Sequence, residues 1–332
     1  MFGKMMNSFY YGKSGKGDYN REDLPSTRWQ LFGEMLKIRL SALCRLNLMY
    51  MLAWLPALIV MMLAATQYYS GVVNLSELQA QAAEGAIAAE VLAEGVFLFN
   101  DYTKAVILQT LLLLVPCLAL TGPFTAGIAY VTRNWARDEH AFIWSDFRDA
   151  MKDNWKQALA VSAITGLMPL ILYVCWSFYG ELSGQNPLFV VPQILSLMLV
   201  VVWLCSLLFQ YPLMVTYRLR FRDLMRNSLL LTVGRLPMVA GLKLLSLVPT
   251  VIALAVAFFT PYMQYALLVL MLYYIVFGFS LSRFISASYS NAVFDRYINP
   301  NIEGAQINRG LYNEEEDNEE AIEAEQEQSA EY

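Results

Sequence analysis

Charged and aromatic side chains crowd one short stretch, residues 122–157, which reads GPFTAGIAYVTRNWARDEHAFIWSDFRDAMKDNWKQ. Within it Arg133, Arg137, Glu139, Asp146 and Arg148 mix both signs of charge around Trp135, Phe142 and Trp144. That mixture suits recognition better than bond making, because arginines and aromatics anchor partner surfaces and complementary charge sets their orientation. The same residues would also serve a solvated loop whose tryptophans mark a membrane interface. His140 is the only histidine and has no evident second ligand, so it offers a poor metal or acid–base site. No phosphate-cradling glycine loop, nucleophile elbow or HExxH sequence occurs. Cys44, Cys117, Cys175 and Cys205 are not in CxxC spacing and read as small apolar fillers. No catalytic residue, cofactor or metal is assigned, and the chain is not expected to be an enzyme.

The elements that must position this stretch are apolar. Of 332 residues 57% are hydrophobic and 15% charged, against about 25% charged in soluble domains. Charge-free windows cover 46–76, 105–132, 157–180, 182–217 and 244–282. A helix crosses hydrocarbon with about 20 apolar residues, so each of the first four windows holds one span. The fifth holds two, divided at Thr260-Pro261, since proline removes a donor and biases its predecessor away from helix. The fold class is therefore an all-α, polytopic bundle of six transmembrane helices. The lipid bilayer is the first partner this implies, and nothing points to nucleic acid.

Twenty-two of the 23 lysines and arginines fall on one side of such a six-span chain, Lys104 being the exception. Basic residues accumulate in cytoplasmic loops, which places both termini in the cytoplasm. Residues 1–45 then form a cytoplasmic segment, with Tyr10-Tyr11 and Trp29 as interfacial anchors and an amphipathic interfacial helix from Trp29 to Arg45. Residues 46–290 form the membrane domain. Residues 291–332 return to the cytoplasm and end in a tail that, from Leu311, carries ten acids and no base; it reads as disordered and solvating. The loop 67–103 is external and acidic, with Asn74-Leu-Ser-Glu77 in capping-box form. The second span is expected to end at Thr121-Gly122-Pro123. Gly122 and Pro123, with Pro212 in the fourth span, are candidates for close helix packing and kinks.

Three places share a phenylalanine, an acid two residues later and a base five later: Phe32/Glu34/Lys37, Phe147/Asp149/Lys152 and Phe221/Asp223/Arg226. Each precedes a span containing a proline, Pro56, Pro169 or Pro249. This predicts a three-fold repeat of an interfacial helix followed by a helical hairpin. No ionisable side chain falls near the middle of any span; the polar candidates are Asn47, Gln109, Gln193, Gln210 and Gln264, suited to helix–helix hydrogen bonds.

Gly122-Pro123, Ala126, Tyr130, Arg133, Glu139, Asp146-Phe147, Lys152 and Asn154 to Gln157 together resemble the YesL-like family of bacterial membrane proteins, known as domain of unknown function 624. Weaker similarity runs from Tyr211-Pro212 through Leu236-Pro237 and over the start, Phe2 to Gly17. The long first external loop and the acidic tail depart from the family pattern. The resemblance implies a bacterial inner (cell) membrane protein, often encoded near carbohydrate importers, with no assigned catalytic residue. The expected function is an accessory or scaffold component linked to carbohydrate uptake or use, with a membrane or cytoplasmic protein, such as a carbohydrate importer subunit, as partner. The alternative is a transporter or channel for a neutral solute.

Overall fold

The computed structural model describes residues 25–312. The start motif with Tyr10-Tyr11, and the tail beyond Tyr312, lie outside the described residues. Helix α1 spans Arg28–Ala83, α2 Ala89–Trp135, α3 Ser145–Ser183 and α4 Val190–Thr216, the last preceded by a 3₁₀ turn at Pro187–Phe189. The short α5, Phe221–Gly234, leads into α6, Leu236–Phe259. A final rod joins α7, Met263–Tyr273, through a π-turn at Tyr274–Gly278 to α8, Phe279–Tyr297. Among the described residues six helical rods are long and apolar enough to cross a membrane, and the chain is an all-α, multi-pass membrane protein. The break expected at Thr260-Pro261 separates α6 from α7.

Helix continuity differs from the expectation in four places. The interfacial helix from Trp29 to Arg45 is not a separate element: α1 runs unbroken through it and through the first span for 56 residues, about 84 Å at the α-helical rise. No glycine or proline pair interrupts the junction, and Pro56 is accommodated inside the helix. Helix α2 likewise passes Thr121-Gly122-Pro123 and stops only at Trp135. Asn74-Leu-Ser-Glu77 lies inside α1 and caps nothing. The loop 67–103 is therefore a helical hairpin, turned at Gly85 with φ +71°. It is held by Tyr102, whose hydroxyl donates to the Gln67 carbonyl, and by the Tyr68–Phe99 ring pair. Asp101 in this hairpin pairs with Lys104 at 3.8 Å.

The three phenylalanine–acid–base signals each fall in the opening turns of a helix, α1, α3 or α5. The paths that follow are unlike. In α1 and α3 the helix continues into the span, whereas α5 ends at Gly234 and α6 restarts at Leu236-Pro237.

The second half of α2 is the axis of the bundle. Residues from Thr121 to Trp135 are buried on several sides, and both apolar clusters share them. One cluster joins Ala126 and Ala129 to Ala158, Val161, Phe209 and Phe294. The other joins Ile128, Val131 and Trp135 to Leu43, Leu46, Tyr50 and Phe284. Small residues permit this crowding. A Cβ at Gly122 would lie 2.3 Å from the Ala158 carbonyl oxygen, and one at Gly127 would lie 2.8 Å from Phe147.

Asn47 shows how the polar span residues are used. The π-turn offsets the backbone ladder, and the fully buried Asn47 meets the displaced groups. Its Nδ2 donates to the carbonyls of Tyr274 and Ile275 at 2.8 and 2.7 Å, and its Oδ1 accepts from the Ser280 N–H at 2.9 Å. Asn47→Ala is expected to cost about 2 kcal/mol, from intramembrane hydrogen bonds worth roughly 0.6–2 kcal/mol each. A lowered unfolding midpoint in SDS titration checks this. Lys243 is the ionisable side chain of α6: the helix begins at Leu236, so Lys243 stands two turns inside it rather than at its middle, within electrostatic reach of Arg283 and Cys205.

Candidate functional site

The end of the bundle that carries the basic residues is built from the termini of α1, α2, α3, α4 and α8. At the C-terminus of α2 the chain reverses in a Schellman-type turn. The Glu139 N–H bonds the Asn134 carbonyl, the Asp138 N–H bonds that of Trp135, and Asp138 takes the left-handed conformation at φ +55°. Aspartate tolerates that region better than most side chains. The reversal returns the Glu139 carboxylate over the helix it has just left.

Glu139 is thereby the centre of three guanidinium groups. Arg137 lies 3.1 Å away, Arg309 3.5 Å and Arg133 3.6 Å. Glu139 and Arg133 keep only 16% of their side-chain surface and Arg137 7%, whereas Arg309 keeps 50%. The C-terminal segment closes over this cluster. The Gln306 carbonyl accepts from Arg137, Gly310 packs on the Arg137 carbonyl, and the Tyr312 N–H reaches the Pro25 carbonyl. Beside it, the buried Asp295 accepts from Arg28 at 2.5 Å, from Asn299 and from the Asn308 backbone. The Tyr217 hydroxyl donates to Asn299 Oδ1 at 2.6 Å. Burial first, and then the nearby Asp295 carboxylate, push the Tyr217 phenol up to about 12, so it remains a neutral donor throughout the physiological range.

The five residues singled out in the sequence thus separate into two groups. Arg133, Arg137 and Glu139 form one compact ion cluster. Asp146 and Arg148 sit on the first turn of α3, with no contact to it. Asp146 Oδ2 accepts from the Phe142 N–H at 2.9 Å and Oδ1 from the Ser145 hydroxyl at 3.2 Å, so Asp146 rather than Ser145 ties down the start of the helix. Arg148 is exposed. Phe147 is buried against α2, while Trp144 and Trp155 are 67% and 50% exposed. Gly122 lies in the α2–α3 contact, Pro123 follows it inside the continuous α2, and Pro212 lies buried within α4.

Between α3 and the α4–α5 connection lies an open polar cleft of about 1170 Å³. Its α3 wall carries Asp146, Asp149 and Asp153 together with Lys152 and Lys156, and the other wall carries Arg218 and Arg220, with Tyr130, Asn154 and Gln157 among its neutral side chains. Gln157 fixes the far wall by donating to the Leu219 carbonyl at 2.8 Å. The cleft gathers residues from Tyr130 to Gln157 that carry the family resemblance. Sequence reasoning missed its other wall, residues 214–220, and missed Arg309, Gln306 and Asp295. Asp295 had a signal, being the only acid between Asp223 and Glu303. His140 packs its ring against Phe142, and among the described residues no group of three His, Cys, Asp or Glu side chains could hold a metal ion.

No curated protein and no solved structure matches the chain. One family model does match, over residues 96–176, and its description is "Protein of unknown function, DUF624". The matched stretch takes in most of α2 and α3, and with them the Glu139 cluster and the nearer wall of the cleft. Residues 96–176 are therefore a DUF624 family domain.

Proposed function

We propose that the protein is a non-catalytic accessory component of a bacterial cell membrane, and that its polar cleft docks a partner protein. One observation carries the reading. The cleft presents charges of both signs beside the half-exposed Trp155, and the exposed Phe142 and Trp144 lead into its Asp146 wall. Exposed indole next to alternating charge is what a protein partner anchors on and orients by. The Glu139 cluster lies behind this surface as its support, since its charges are met internally. A subunit of a carbohydrate importer is the partner class that the family resemblance brings. The recurring phenylalanine–acid–base pattern is a repeated helix-entry signal in this reading.

The cleft faces the cytoplasm in this proposal, as do both termini, because 22 of the 23 basic residues then lie on the cytoplasmic side. Single cysteines replacing Glu84, Gln185 and Tyr262 in a cysteine-free background are expected to react with an impermeant thiol reagent outside the cell, and those replacing His140 and Arg220 are not. External labelling at position 140 would reverse the orientation.

The docking role is tested by Lys152→Glu combined with Arg218→Glu, two exposed positions on facing walls. Exposed charges contribute only about 0–1 kcal/mol to stability, so expression and unfolding midpoint are expected to hold while a co-purifying protein in mild detergent is lost. Recovery of the same partner with the double variant, or of none with the wild type, would contradict docking at the cleft. Arg133 is unsuited to such a test, because a glutamate there would face Glu139 inside the ion cluster.

A further inference from the structure

On the opposite flank of the same end, a groove of about 250 Å³ runs between α1, α6 and α8. Its floor is apolar, with Phe32, Leu242, Leu245 and Ile285, and its polar lining includes Arg28 and Tyr289. The groove has a direction. Helices α1 and α6 both enter the bundle at this end and α8 leaves by it, so Leu242, Leu245 and Ile285 lie progressively deeper than Arg28 and the start of α6. Met238 and Leu245 are seven residues apart, which sets the apolar depth at about 10 Å from the helical rise. Leu245 keeps 55% of its surface, so the floor is open on its outer side. At the rim Trp29 is 74% exposed, as expected of an aromatic at headgroup level.

Beyond the lining residue Tyr289 stand two cations, Arg235 and Arg296, without a carboxylate partner among the described residues. The guanidinium groups of Arg235 and Arg296 both lie against the ring of Tyr297, 5.0 and 5.6 Å from its centroid. Arg235 also donates to the Tyr297 hydroxyl. Neither arginine has a carboxylate partner among the described residues, in contrast to Arg28, which is neutralised by Asp295. The buried hydroxyl of Tyr289, a lining residue of the groove, faces Arg235 and has no other partner.

A positive rim over an apolar channel that opens sideways matches one ligand in polarity, charge and direction. We infer that this groove is a binding site for an anionic phospholipid, with an acyl chain along Leu242, Leu245 and Ile285 and the headgroup phosphate between Arg235 and Arg296. Guanidinium supplies the two-pronged donors that a phosphate oxygen pair accepts.

The test uses the full chain, purified in mild detergent, exchanged into lipid mixtures and read by native mass spectrometry. Wild type is expected to retain phosphatidylglycerol about tenfold more than phosphatidylcholine, the scale of one to two arginine contacts with an anionic headgroup. Arg235→Gln with Arg296→Gln should abolish the preference while leaving chain-dependent retention of both lipids. Leu242→Trp, which fills the channel, should reduce retention of both. Excess inorganic phosphate should leave the lipid in place. Equal retention of the two lipids by wild type, an unchanged preference in the double variant, or displacement by phosphate alone would each overturn the assignment. Retention that depends on residues 2–24 would instead make the chain's own N-terminal segment the occupant.

Discussion

Glu139→Gln is expected to lower stability by about 3 kcal/mol, because it leaves buried guanidinium groups without their counter-charge. Removing one partner of a buried ion pair costs roughly 3–5 kcal/mol, since the remaining charge stays desolvated and unpaired. Here the lower end applies: Arg133 and Arg137 keep 16% and 7% of their side-chain surface, and Arg309 half of its own. The glutamine fills the same volume and can still accept a hydrogen bond, so the loss reports charge rather than packing. Arg309→Gln is the internal comparison. At its exposure the pair is worth only about 0–1 kcal/mol. SDS-titration midpoints should therefore fall sharply for Glu139→Gln and barely for Arg309→Gln. Equal midpoints for Glu139→Gln and wild type would mean that water already satisfies the cluster.

The second large effect is steric. Gly122→Ala places a Cβ 2.3 Å from the Ala158 carbonyl oxygen and 2.9 Å from Ser162 Oγ. The first of these is backbone and cannot rotate aside, so α2 and α3 must separate. Overpacking normally costs about 1–3 kcal/mol, and the upper end is expected for alanine. Gly122→Leu should yield no folded protein. Gly33 and Gly241 lie in helices with nothing within 4 Å of a built Cβ. Alanine there should be neutral or stabilising by up to about 1 kcal/mol, from helix propensity alone. Similar losses at Gly33 and Gly122 in thermal unfolding would remove the close-packing explanation.

These two sites differ in how far the sequence revealed them. The spans were legible because each needs only about 20 consecutive apolar residues, and Pro261 marked the division within the fifth window. The grouping of Arg133, Arg137 and Glu139 was legible as a local cluster. The Schellman-type turn that folds Glu139 back was not, because its left-handed position holds Asp138 rather than glycine. Nor could periodicity show where helices stop. The charges around Arg39 and Arg45 suggested a boundary at the membrane surface, yet charged residues sustain a helix as well as apolar ones do, and α1 runs through. Arg28 and Asp295 meet across 267 residues, and Arg309 reaches Glu139 from the far end of the chain. Such long-range pairs leave no local pattern. The cleft was half visible: its α3 wall lies in the stretch that prompted the family resemblance, while the 214–220 wall looked like an ordinary basic connection.

In-cell photo-crosslinking from the cleft tests the docking role most directly. A photoreactive amino acid at Lys152 faces the cleft, and one at Gln185 lies in the turn just past the far end of α3. The expected result is one discrete crosslinked protein from position 152, absent from position 185 and lost when Arg218→Glu is added. Crosslinks from position 152 to lipid alone, or the same products from both positions, would contradict a partner-docking cleft.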